Sequence, residues 1–260
     1  MKALVPSVRA VMGRRILVNF RVRPETVAGL LPKPFRPKLV AGWAMGGICL
    51  IRLEQMRPAW MPRVFGVASE NAAHRIAVEW TEHGRVREGV FIPRRDTNSL
   101  LNYWAGGRLF PGVHHLANFN CLDDGTQIKV GLRSRDRQTL VSVAATLTNA
   151  WPASSVFRSL EEASAFFRTG GCGWSPSTKC ALEGVELRTD YWEMRALAVE
   201  RAESSFFADT RRFRPRSVEF DSALLMRGIG HDWRALGRFG EMPGYTARNR
   251  HGSAALFELP

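Results

Sequence analysis

Two adjacent histidines, His114 and His115, stand in the segment PGVHHLANFN (111–120). Imidazole is the side chain whose ordinary pKa lies nearest neutral pH, so a histidine facing a pocket can give or take a proton. The residues around the pair read as a strand, where neighbours point to opposite faces, so only one of the two can enter a given pocket. Arginine suits such a site when the substrate is an organic acid, because its planar fork grips a carboxylate with two hydrogen bonds. Arg75, Arg94 and Arg108 are the arginines that could act in this way.

Other chemistries find less support. His74, His114, His115 and Cys121 are the candidate metal ligands, but no HxH, HExxH or CxxC spacing occurs. Adjacent strand histidines cannot share one ion without distortion, so no metal is expected. A GxSxG nucleophile elbow is absent, as are GxGxxG and GxxxxGK[ST] phosphate loops. No cofactor is expected.

The chain that must position these residues has 260 of them, 45% hydrophobic and 23% charged. That is ample for a core, and no linker, repeat or charge block divides it, so one domain over 1–260 is expected. The longest uncharged apolar run, 39–51, is too short to span a bilayer, and Arg9 interrupts any leader-like segment at the N-terminus. Four cysteines without a CxxC are expected as reduced thiols in a cytoplasmic protein. The net charge is +13, with only five lysines among 37 basic residues. Such charge can attract nucleic acid or anionic lipid. The zinc-finger, RNP and helix-turn-helix patterns that accompany nucleic-acid recognition are missing, so nucleic acid is not the expected partner. A small-molecule ligand is, with no membrane association; a homo-oligomer is left open.

Along the chain, RRILVNFRV (14–22), WAMGGICLIRLEQM (43–56), HRIAVEW (74–80) and GVFIPRR (89–95) read as strands. EHGR (82–85) is turn-like, and the paired glycines at 46 and 47 suggest a bulge or a close backbone approach. Further strands are expected at VHHLANFN, 126–135, 138–150, VELRTDYW and SVEFDSALLM, then a loose C-terminal stretch. Helices are expected near 24–31, 97–105 and 159–168, where Pro24, the run Asp96–Ser99 and Ser159 supply starts and the Gly pairs at 106–107 and 170–171 supply stops. Many strands with a few short helices mean an α+β, β-rich fold on a large, mainly antiparallel sheet or barrel.

In order and spacing, VNFRVRPETVAGLLPKPFRP, GWAMGGICLIRLEQMRP, ENAAHR, GVFIPRRD and GGRLFPGVHHLANF resemble the YqjF-like family, within the acetoacetate decarboxylase-like superfamily. The resemblance covers about residues 14–120 and implies a mostly antiparallel cone-shaped β-barrel with a few peripheral helices and a pocket inside. In the decarboxylases a Gly-Arg-Glu…Pro-Lys-Lys-Leu-Ala segment supplies a Schiff-base lysine, the first of its pair. The histidine pair stands there in this chain. Counting from Leu116–Ala117 puts His114 at the nucleophile's place; counting from Arg108 puts His115 there. Leu-Ala is the nearer anchor and favours His114.

An imidazole forms no stable Schiff base with a ketone, so decarboxylation through an iminium is not expected. Of the lysines, Lys129 in QIKVGL is the one placed to point into a barrel. Glu70 and Arg75, in ENAAHR, match a Glu-x4-Arg pattern of the YqjF-like proteins, and Glu70 falls near the decarboxylases' pocket glutamate. The resemblance thus implies His114 and Glu70 as acid–base groups, with Arg75, Arg94, Arg108 and His115 binding a small keto or carboxylic compound. Binding without catalysis is the alternative. The partner histidine should pack outward against a helix.

Overall fold

The computed structural model describes residues 7–178 and 181–241. The strands are β1 (Ser7–Val22), β2 (Arg36–Pro37), β3 (Leu39–Val40), β4 (Trp43–Pro58), β5 (Val67–Glu82), β6 (Arg85–Thr97) and β7 (His115–Asp123). They continue with β8 (Gln127–Ser134), β9 (Leu140–Thr148), β10 (Cys172–Pro176), β11 (Ala181–Thr189), β12 (Arg195–Ser204) and β13 (Val218–Glu241). Among the described residues, three short α-helices interrupt them: α1 (Pro24–Ala28), α2 (Leu100–Ala105) and α3 (Leu160–Arg168). The protein is therefore mostly β. No helix among the described residues is long and apolar enough to cross a membrane.

Local chemistry accounts for the helix starts. Pro24 opens α1, Ser99 Oγ accepts from Asn102 N at 3.2 Å, and Ser159 Oγ accepts from Glu162 N at 3.3 Å. Asp96 and Thr97, expected in the α2 start region, instead end β6; Asp96 is wholly buried and bound to Arg94. α1 stops at Ala28, before the apolar Leu30 and Leu31 that suggested a longer helix. The turn-like EHGR joins β5 to β6 as a two-residue hairpin, with His83 and Gly84 at φ 49° and 72°.

The pairing order is β11-β10-β6-β7-β8-β9-β12-β13-β1-β4-β5-β2, and β5 also pairs β6 while β11 also pairs β13. The path therefore closes on itself twice. One circuit runs from β6 through β7, β8, β9 and β12 to β13; the other runs from β6 through β10 and β11 to β13. Both return by the shared wall β13-β1-β4-β5-β6. Most pairs are antiparallel; β6 pairs β7 and β10 in parallel. β13 continues to Glu241 through residues expected to be loose, because its second edge is taken by β12 at one end and by β11 at the other. The rest of the expected loose stretch, 242–260, lies outside the described residues.

Alternation along the wall sorts its side chains into two cores. Ile16, Val18, Ile48, Leu50, Ala72 and Ile76 join one apolar cluster. Leu17, Met45, Cys49, Ala77, Leu224 and Met226 join the other, which α3 covers with Ala163 and Phe167.

Candidate functional site

Three pairs of like residues divide between two faces: Arg14–Arg15 and Arg94–Arg95 on the shared wall, and His114–His115 at the start of β7, beside it. In each pair, one member meets carboxylates and the other meets none among the described residues. On the first face, Arg14 Nη2 lies 2.8 Å from Glu70 Oε2, and Arg52 Nη1 lies 3.3 Å from Glu70 Oε1. Arg94 binds Asp96 at 2.7 Å and Asp136 at 2.9 Å, and His115 Nδ1 stands 3.3 Å from Asp136 Oδ2. On the second face stand Arg15, Arg75 and Arg95, none with an ion-pair partner among the described residues.

That second face opens, at the α2 end, into a cavity of about 220 Å³. Ile51, Leu53, Met56, Leu101, Leu109 and Phe110 give it an apolar wall; Arg57, Asn71, Arg95, Asn102 and His114 supply its polar groups. Among the described residues, no aspartate or glutamate is in the wall.

His114 precedes β7 by one residue, and its position follows from the glycines around it. Its Nδ1 stands 3.1 Å from Gly112 O. A carbonyl only accepts, so Nδ1 carries the proton and Nε2 is left with its lone pair. Burial pushes the imidazole down to about 3, Arg95 adding to the effect and the Gly112 carbonyl opposing it, so His114 is neutral at neutral pH. A Cβ on Gly106 would collide with His114 Nδ1 and come within 2.7 Å of Gly112 O. Gly112 itself has φ 93°, and its N–H donates to Glu183 Oε2 at 3.1 Å. The loop before β7 thus wraps the imidazole, and α2, capped by Ser99, closes over it.

Arg95 donates from Nε and Nη2 to Ser175 Oγ, at 3.0 and 2.9 Å. Burial lowers it to about 10, with Cys49 opposing, so it remains charged. Arg57 donates to the carbonyls of Met61 and Gln55, at 3.0 and 2.8 Å. The cavity therefore presents two guanidinium groups held by neutral oxygens beside a neutral imidazole. Such a wall favours an anion with an apolar body.

The structure brings few of the expected residues together. Glu70 is not with His114: it is on the other face, bound to Arg14 and Arg52. Asn71, Ala72 and Ala73 of β5 line the cavity and Glu70 does not. Arg94 and His115 are likewise in the carboxylate network on the first face. Burial pushes His115 down to about 4, with Arg94 adding and Asp136 opposing. Arg108 donates to Trp104 O at 2.9 Å, closing the end of α2. Arg75 is on the second face but further along, its guanidinium 4.7 Å from the Phe167 ring on α3. Lys129 is exposed, because Ile128 and Val130 take the inward positions of β8. Lys33, Lys38 and Lys129 are all absent from the cavity wall; Lys2 and Lys179 lie outside the described residues.

Arg95, Arg57, Asn71 and Asn102 are the wall residues that sequence reasoning missed. For Arg95 a signal existed: it sits one position from Arg94, and a strand makes one position a change of face.

The DUF2071 family, described as an uncharacterized conserved protein, matches residues 10–220. No curated protein matches the chain. Among solved structures, it is similar to an acetoacetate decarboxylase-like enzyme from Sphingomonas wittichii RW1, at 17% identity and TM-score 0.52, covering 89% of this chain and 90% of that one. Acetoacetate decarboxylase from Legionella pneumophila is similar at 10% identity and TM-score 0.53, with 89% and 88% covered. The enduracididine biosynthesis enzyme MppR, complexed with pyruvate, is similar at 11% identity and TM-score 0.56, with 90% and 89% covered. At these identities the likeness is one of fold.

Proposed function

Since the chain belongs to the DUF2071 family and has the fold of acetoacetate decarboxylase-like enzymes, we propose that it is one cone-shaped barrel domain whose cavity beside His114 takes a small keto or carboxylic compound. The observation that carries this is the wall itself: Arg57, Arg95 and His114 around an apolar cavity with no carboxylate among the described residues. At about 220 Å³ it falls below the roughly 300–1,000 Å³ usual for drug-sized ligands, which suits a compact organic acid. MppR, one of the structural neighbours, is complexed with pyruvate, which supports the same class.

In this reading Arg95 holds the ligand carboxylate, braced by Ser175, and His114 Nε2 accepts a hydrogen bond or a proton from the ligand. An iminium step has no support, since no described lysine lines the cavity. Glu70 has no part, being held by Arg14 and Arg52. Binding without turnover is the second reading, favoured by one observation: an imidazole at about 3 is a weak base. A ligand carboxylate beside it offsets burial and raises its proton affinity, which restores acid–base chemistry only in the complex.

Calorimetric titration of short-chain 2-keto and 3-keto acids and their methyl esters tests both readings. The acids are expected to bind at least about tenfold more tightly than the esters, as loss of a charge-assisted contact implies. Equal affinity would end the proposal. Repeating the titration in buffers of different ionisation enthalpy separates the readings: proton uptake on binding marks His114 as an acid–base group, and its absence marks a binding protein.

A further inference from the structure

We infer that the protein has a second anion site, separate from the His114 cavity, in which Arg15 and Arg75 hold one small monovalent anion of halide or formate size between α3 and the strands β1, β4 and β5.

Arg15 is 9% exposed and Arg75 is 4% exposed. Neither has a carboxylate in ion-pair range among the described residues. Arg15 donates from Nε to Cys49 Sγ at 3.2 Å and from Nη1 to Met226 Sδ at 3.7 Å, and its guanidinium lies 5.7 Å from the Trp192 ring. Arg75 donates from Nη2 to Asn19 Oδ1, stacks on Phe167, and its buried Nε has no hydrogen-bond partner among the described residues. Thioether, thiol, amide and ring are weak partners for two full charges that also repel each other. A buried guanidinium left without an anion is among the costliest groups a fold can carry.

The rest of the wall shows that acids were available for this task. Arg14 and Arg94, each one residue from an arginine on this face, are bound to Glu70 and Asp96. Space has also been kept for the guanidinium: a Cβ on Gly47 would stand 2.5 Å from Val18 O and 3.2 Å from Arg75 Nη2. The close approach that the paired glycines suggested is thus used to seat Arg75.

Room exists for the missing charge. Arg15, Arg75, Lys38, Phe166 and Phe167 line a cavity of about 30 Å³. About 10–15 Å³ of such space already holds one water molecule, so this cavity admits a single halide or a comparably small carboxylate. Lys38 is already bound to Glu88 at 2.7 Å and adds little net charge. Arg15 also lines an adjoining cavity of about 160 Å³ with Arg168, Thr189 and Trp192. Arg168 is exposed, and among the described residues no acid lines this second space, so it forms a positively charged way in.

The test is diffraction from crystals of the full chain soaked in bromide, collected at the bromine absorption edge. An anomalous peak within hydrogen-bonding reach of both Arg15 and Arg75 is expected, and the same peak in the His114→Ala variant, since this site does not depend on the other cavity. No peak there, or peaks only at surface arginines, overturns the inference. Thermal unfolding in chloride, formate and gluconate at equal ionic strength gives an independent reading. The midpoint is expected to be about 3 °C or more higher in chloride or formate than in the bulky gluconate, and the larger gain identifies a halide or a carboxylate as the better occupant. Arg75→Met should abolish the difference and Arg108→Ala should keep it. A wild-type midpoint indifferent to the anion refutes the site even if Arg75→Met fails to fold.

Discussion

Replacing Gly106 with alanine is a sharp probe of how His114 is held. The backbone tolerates it, since φ −63° and ψ 128° suit any residue. The obstacle is space: the new methyl would collide with His114 Nδ1 and lie 2.7 Å from Gly112 O and 3.0 Å from Asn102 O. Two of these are backbone atoms with little freedom to move. Relief requires the imidazole and the 112 carbonyl to separate, which removes their 3.1 Å hydrogen bond, worth about 1 kcal/mol net. Overpacking adds about 1–3 kcal/mol. The sum is about 2–4 kcal/mol, or a fall in thermal midpoint of about 4–16 °C at about 2–4 °C per kcal/mol. Calorimetric and urea unfolding of Gly106→Ala against wild type measures it. Gly29→Ala, whose Cβ would meet only Thr26 O at 3.8 Å, serves as the neutral control. A Gly106→Ala protein within about 0.5 kcal/mol of wild type would refute the described packing of His114.

Three other outcomes are expected. Borohydride treatment with an acetoacetate-type ketone should add no mass to any lysine; a reduced adduct on Lys129 or Lys179 would restore the iminium route. His74 is fully buried against Phe206, and burial, with Arg94 and Arg212 adding, pushes it down to about 3. The unfolded chain therefore takes this proton first: the stability His74 contributes is complete above about pH 6.5 and falls toward pH 3, by about 1.4 kcal/mol per pH unit. Urea midpoints should decline less steeply from pH 6 to 4 in His74→Gln, and an unchanged slope would count against this burial. Arg94→Met should cost about 3–5 kcal/mol in chemical unfolding, because it strands the wholly buried Asp96; a near-neutral result would mean that Asp96 does not need its partner as a charge.

Much of the fold could be read from local chemistry. The caps at Ser99 and Ser159, the hairpin at His83–Gly84 and the alternating strands β1, β4, β5, β8 and β9 follow from residue type and period. β10 and β12 were not legible: CGWSP is five residues long with a glycine and a proline, and RALAVERAES carries its apolar face among charges. The site was harder because its residues come from different strands, and register between strands is set by tertiary pairing. His114 was reachable, since the family resemblance pointed to the pair and strand period allows only one of them inward. Arg95 was not distinguished from Arg94, nor Asn71 from Glu70, because a one-residue choice of face depends on which core each strand meets. The pairing of the arginines is invisible for the same reason: the sequence shows arginines and carboxylates, but only the structure shows that Arg14 and Arg94 meet carboxylates while Arg15, Arg75 and Arg95 have no ion-pair partner among the described residues.

The cavity beside His114, whose wall holds no carboxylate among the described residues, is proposed to bind the carboxylate of a small organic acid through Arg95, and every other part of the functional reading depends on that contact. The most direct measurement is the affinity ratio between a keto acid and its methyl ester, taken by calorimetry in wild type and in Arg95→Met. A preference for the acid of about tenfold or more is expected in wild type, shrinking to within about twofold in the variant, with ester affinity little changed. An acid preference that survives intact in Arg95→Met would contradict the assignment.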